Sequence, residues 1–190
     1  NRAKDTACEL FIGGEMGIAN TTSASALASA CLNIPAADLV GPGTGLSADK
    51  LPMKAKVIEQ AIALHNAKTP LEQLQCLGGF EIAGLVGAYI GCAQLGVPVL
   101  VDGFISSAAA LVARAINPSI EPWLFYSHQS HEPGHQTILT ALNAEPLLNI
   151  GMRLGEGSGA AVVTSLMKSA VALHNEMATF SQAGVSESGA

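Results

Sequence analysis

Apolar residues along this chain come in short runs broken by glycine, proline and small polar residues, and their spacing alternates between the extended and the helical period. Glu9 to Ile12 is predicted as a short strand. Thr22 to Leu32 follows as a helix of small residues, with Asn20, Thr21 or Thr22 available as its cap. Lys54 to His65 is a second helix, because Val57, Ile58, Ala61, Ile62 and His65 fall on one side at helical spacing. Pro70 can open a short third helix. Glu81 to Leu95 is apolar on nearly every side, which predicts a buried helix, and Val97 to Val101 reads as a buried strand. Ser106 to Ile116 returns as a helix, Trp123 to Ser127 as a strand and Pro133 to Leu142 as a helix. In the last helix, Ser158 to Phe180, the positions Val163, Leu166, Ala170, Leu173, Met177 and Phe180 keep the helical period. The small, polar tail from Ser181 to Ala190 is expected to fray. Alternation of this kind predicts one α/β domain over residues 1–190: three Rossmann-like layers, a mainly parallel sheet flanked by helices, with the ligand site at the strand ends.

Composition narrows the function. Hydrophobic residues make up 49% of the chain and charged residues 13%, which excludes a disordered segment and predicts that a partner, a second copy of the chain, covers part of the apolar surface. A formal net charge of −6 gives no general attraction for nucleic acid or an anionic membrane, so phosphate recognition has to be local. The uncharged run from Ile82 to Val101 is long enough to be weighed as a membrane span, but Gly96 and Pro98 divide it into a helix and a strand. Cys8, Cys31, Cys76 and Cys92 lack the spacing of a metal or redox motif and read as reduced thiols of a cytoplasmic protein.

Two segments carry the candidate chemistry. In Gly151-Met152-Arg153-Leu154-Gly155-Glu156-Gly157-Ser158-Gly159 a carboxylate stands among glycines where a helix is about to begin. Glycine leaves the backbone bare, and the helix N-terminus that follows is expected to offer free N–H groups to an anion. Gly13-Gly14-Glu15-Met16-Gly17, followed by Asn20-Thr21-Thr22-Ser23, repeats the design near the start. Two acids beside two anion-binding turns point to acid/base chemistry on a phosphorylated molecule. His131-Glu132-Pro133-Gly134-His135 satisfies the H-E-x-x-H pattern, but zinc binding there needs both histidines on one face of a continuous helix, which Pro133 and Gly134 oppose. The segment reads instead as a loop at the rim of the site, and no metal is assigned.

Five strings in order, Gly14 to Ala24, Val40 to Leu46, Gly78 to Ile82, Val101 to Phe104 and Met152 to Ala160, resemble the nicotinate-nucleotide:dimethylbenzimidazole phosphoribosyltransferases of cobalamin assembly. The resemblance extends over nearly the whole chain. Family members carry a long region ahead of the first string, so the chain resembles their C-terminal part, and the resemblance implies a half-built acceptor pocket and little activity for these residues alone. It also implies transfer of the 5-phosphoribosyl group from nicotinate mononucleotide to 5,6-dimethylbenzimidazole, giving α-ribazole 5′-phosphate and nicotinate, by a homodimer that uses no cofactor. A non-catalytic nucleotide-binding module and an enzyme that hydrolyses or phosphorolyses an N-ribosyl bond are the competing readings.

By this resemblance Glu156 is the general base and Glu15 a second carboxylate at the reaction centre. Gly17, Asn20, Thr21, Thr22 and Ser23 are expected to bind phosphate or ribose, although the same run can simply cap a helix. Lys54 matches a lysine that faces the nucleotide, while Lys56 is expected at the surface. Gly41, Gly43, Thr44 and Gly45 form a loop able to wrap the donor or merely to connect. Asp102 is expected to face ligand or to cap a helix, Arg153 to bind an anion or brace its loop, and Leu154 and Gly155 complete the substrate-binding set.

Overall fold

The computed structural model describes residues 7–43 and 45–185. Three parallel strands, β1 (Phe11–Gly13), β2 (Val99–Val101) and β3 (Leu124–Tyr126), form one sheet in that order. Phe11 is registered with Val99 and Val99 with Leu124; Gly13 aligns with Val101 and Val101 with Tyr126. The central strand is apolar at every position because it is covered on both faces. Val99 and Val101 enter the main core, whereas Leu100 points the other way and packs with Ala160 and Val163. The α/β arrangement with helices flanking a parallel sheet agrees with the pattern read from the sequence, although each strand is shorter than expected.

The helices are α1 (Thr21–Leu32), α2 (Leu51–His65), α3 (Pro70–Leu77), α4 (Phe80–Gln94), α5 (Phe104–Ile116), α6 (Pro133–Ala141) and α7 (Ser158–Glu176). Helix α5 is the pivot: every residue from Phe104 to Ala113 is buried, and α1, α3, α4 and α6 all pack on it. Ser106, Ser107 and Ala108 to Ala110 keep its girth small enough for several neighbours to approach. Pro70 begins α3 behind Thr69, which forms a reciprocal capping box with Glu72. Asn33 and Asn66, both left-handed, close α1 and α2.

Three expectations are corrected. Helix α4 buries one side only, through Ile82, Val86, Tyr89 and Cys92; Ala83, Gly84 and Gly87 are exposed, because small residues count as apolar in a pattern yet have little surface to bury. Helix α2 buries Lys54, Ala55 and Ile58, while Val57 and His65 are exposed, so its inward face is rotated from the one the apolar spacing picks out. Helix α7 ends at Glu176, short of the expected Phe180; only Gly159, Ala160 and Val163 of it are buried, and Leu166 and Leu173 on its periodic face are exposed, as are Met177 and Phe180 beyond its end.

Candidate functional site

Parallel strands end on one edge of the sheet, and the segments that leave that edge build the site. Strand β1 runs into Gly14-Glu15, β2 into Asp102-Gly103 and β3 into Ser127-His128. The 151–157 segment lies across them, tied down by Glu156 N–H donating to Glu15 O at 2.8 Å and His131 N–H donating to Met152 O at 3.1 Å. Glu156 has φ 60°, a left-handed conformation, between Gly155 at 79° and Gly157 at 78°. A side chain on Gly155 would stand 2.7 Å from Glu15 O, and one on Gly14 would collide with Gly157 N. The glycines therefore let one acid turn lie directly on the other, and the two turns form a single unit.

A cavity opens beside this unit. Glu15, Gly17, Thr21, Gly43, Asp102, Arg153, Leu154 and Gly155 line it, with Phe104, Ser106, His128, Ser130 and Glu132. An adjoining pocket, sharing Gly17 and Thr21, is lined by Thr22, Gly45 and Lys54. Glu156 is exposed next to the first cavity, while Asn20 and Ser23 lie outside both linings. Asn20 is buried and its amide donates to Glu81 Oε1 at 3.2 Å, which fixes the start of α1 against α4. Thr44 lies outside the described residues.

The N-terminus of α1 faces these pockets through Thr21 and Thr22 and has no side-chain cap. Ala24 N–H, bonded to Asn20 O at 3.0 Å, is the first amide of the helix to find a partner among the described residues. Free N–H groups, the dipole and a cation together make an anion site. The cation is Lys54, buried, with its ammonium donating to Thr21 Oγ1 at 3.0 Å and Gly41 O at 2.9 Å. Burial lowers its pKa, and the Glu132 carboxylate opposes that shift. Glu132 in turn is raised by burial, with Lys54 pulling it back down. Lys56 is exposed, as expected.

The second helix start differs from its expected role. At the start of α7 two N–H groups are already taken by Asp102, whose Oδ2 accepts from Gly157 N–H and Oδ1 from Ala160 N–H, each at 3.0 Å. Asp102 lines the cavity, yet its carboxylate serves as a helix cap supplied from a neighbouring strand. Between the two glycine-acid segments, the start of α1 is therefore the one left open to an anion.

The histidine segment is split by its proline. His131 is exposed ahead of α6, whereas His135 is buried inside the helix, with Nδ1 accepting from Ser130 N–H at 2.8 Å and Nε2 2.9 Å from Ser107 Oγ. His128, Ser130 and Glu132 reach the cavity although the sequence reading assigned them no ligand role. Their position directly after β3 was the available signal, because strand ends supply ligand-facing groups in such sheets.

The profile of the DBI_PRT phosphoribosyltransferase family matches residues 1–185. Nicotinate-nucleotide–dimethylbenzimidazole phosphoribosyltransferases of Pseudomonas putida and Azotobacter vinelandii are each 60% identical to the chain. The alignments cover 98% and 99% of the chain and 54% of each relative. The crystal structure of CobT from Thermus thermophilus superposes with a TM-score of 0.92 at 39% identity, over 98% of this chain and 56% of that one. The chain thus spans about half the length of these relatives and corresponds to their C-terminal half. With the profile running through nearly every residue and the same fold in a solved relative, the chain belongs to the DBI_PRT phosphoribosyltransferase family.

Proposed function

We propose that these residues form the donor side and the general base of an enzyme that transfers the 5-phosphoribosyl group of nicotinate mononucleotide to 5,6-dimethylbenzimidazole. The products are α-ribazole 5′-phosphate and nicotinate, and the reaction belongs to the lower-ligand branch of cobalamin biosynthesis. The observation that carries this reading is the juxtaposition of the Glu15–Glu156 unit with an uncapped helix N-terminus backed by a buried lysine.

In this reading the donor phosphate sits on the free N–H groups of Thr21, Thr22 and Ser23, with Lys54 neutralising its charge. Gly17 allows the ribose to approach the backbone, between Gly43 in the first cavity and Gly45 in the adjoining pocket. A nitrogen of the benzimidazole attacks C1 of the ribose from the face opposite nicotinate, which inverts the configuration. The electrons of the breaking C1–N bond leave with nicotinate and quench its pyridinium charge, while the proton on the other benzimidazole nitrogen passes to Glu156. A positioned base of this kind contributes about 100-fold to 10,000-fold. Glu15 faces the positive charge that develops on the ribose, and Arg153 and Leu154 border the acceptor. The donor bears one phosphate and nicotinate departs unaided, so no step calls for a metal or cofactor.

We further infer a single α/β domain that works within a cytoplasmic homodimer. The exposed apolar face of α7 supports the pairing, and the free thiols of Cys8, Cys31, Cys76 and Cys92 support a reducing compartment. Among the described residues, no helix is long and apolar enough to cross a membrane. The test is the dependence of nicotinate release on the acceptor, measured on a chain of the relatives' full length. Release only when dimethylbenzimidazole is present, with stoichiometric α-ribazole 5′-phosphate, is the expected result; equal release in water or phosphate alone would assign a hydrolase or phosphorylase.

A further inference from the structure

We infer that Asp102 is a positioning residue for Glu156, an inference that rests on the reading of Glu156 as the base. Glu156 projects from the middle of three consecutive left-handed residues. A non-glycine residue in that conformation persists only where its surroundings hold it. Two clamps do so. On one side the Glu156 N–H is bonded to Glu15 O, and on the other the Asp102 carboxylate takes the N–H of Gly157, the next residue, and that of Ala160 one turn into α7.

The clamp is itself fixed. Asp102 is 1% exposed at the end of β2, and its backbone oxygen accepts from Ser127 Oγ at 3.1 Å. The His128 ring stands 3.7 Å from Oδ1 and lies so close to α7 that any side chain on Gly159 would overlap it. Strand β2, the segment after β3 and the first turn of α7 are therefore locked together around one carboxylate. Bonds to an ionised carboxylate are stronger than neutral ones, and two convergent N–H donors set both the distance and the angle of the turn. Asp102 acts through the backbone on the place from which the Glu156 side chain departs.

Asp102→Asn keeps the volume but presents an NH2 group to one of the two N–H donors. In a full-length chain it is expected to lower kcat by roughly 10-fold to 100-fold, the effect of misplacing a reacting group by about an ångström. Nicotinate mononucleotide affinity should change less than about twofold, and Asp102→Asn combined with Glu156→Gln should be no slower than Glu156→Gln alone. Amide hydrogen exchange at Gly157 and Ala160, which needs no turnover, should accelerate. Unchanged exchange there, multiplied losses in the double variant, or weakened nucleotide binding with kcat preserved would each overturn the inference. Full activity of Glu156→Gln would overturn it together with the reading of Glu156, while the exchange rates would still tell whether Asp102 holds the turn. If Asp102→Asn does not fold, Asp102→Ser, with one short acceptor, is expected to show the same kcat-specific loss.

Discussion

At the scale of single residues, the site depends on charges whose setting the order of residues does not reveal. Lys54 looks like an ordinary lysine near a helix start, yet it is buried and holds Thr21 Oγ1 and Gly41 O. Replacing it with methionine keeps the stem and removes the cation. Lys54→Met should weaken nicotinate mononucleotide by about 10-fold or more, the scale of one charge-assisted bond, and leave nicotinate riboside, which has no phosphate, almost unchanged. Competition binding of the two ligands checks this, and equal losses for both would detach Lys54 from the phosphate. Because burial lowers the pKa of Lys54, nucleotide affinity should decline on the alkaline side before the ordinary lysine range is reached. Glu15 and Glu156 were legible because glycine neighbours and a following helix mark them. Asp102 stood out as an acid at a strand end, but its choice between ligand and cap depended on which amides lay within 3.0 Å, and those come from a segment 55 residues away.

At the scale of elements, boundaries and faces were legible to different degrees. Proline announced the starts of α3 and α6, because its backbone preference acts locally, whereas α2 begins at Leu51, ahead of the expected Lys54. Inward faces were less legible: in α4 and α7 a uniformly apolar or small composition does not say which side meets the core, and in α2 a lysine is buried where the spacing favoured valine. Helix α6 carries the sharpest consequence of burial. His135 joins it to Ser107 of α5 and to Ser130 after β3, and Nδ1 must stay unprotonated to accept the Ser130 N–H. Burial, with a smaller contribution from His128, lowers its pKa from 6.5 to about 3. The folded protein then binds fewer protons than the unfolded chain between those values, so stability is full above about pH 6.5 and is lost as pH falls toward 3, by roughly 1.4 kcal/mol per pH unit. Thermal melts across this range should show the decline, and His135→Gln, which can still accept the Ser130 N–H, should flatten it. An unchanged slope would place the acid sensitivity elsewhere.

At the scale of the molecule, two turns that stand 141 positions apart, at Glu15 and Glu156, are folded into one unit by glycines that permit backbone to touch backbone. The sequence displayed both turns and their shared design; that they interlock became visible only once the sheet placed the ends of β1 and β2 side by side. The chain spans about half the length of its relatives, so the proposed function is tested on a full-length chain. The most direct measurement is single-turnover transfer by Glu156→Gln beside the unaltered enzyme, with nicotinate mononucleotide binding measured on both. Binding within about twofold and transfer slowed by about 100-fold or more is the predicted result. Transfer at the unaltered rate, or a loss explained wholly by weaker nucleotide binding, would contradict the assignment of Glu156 as the base.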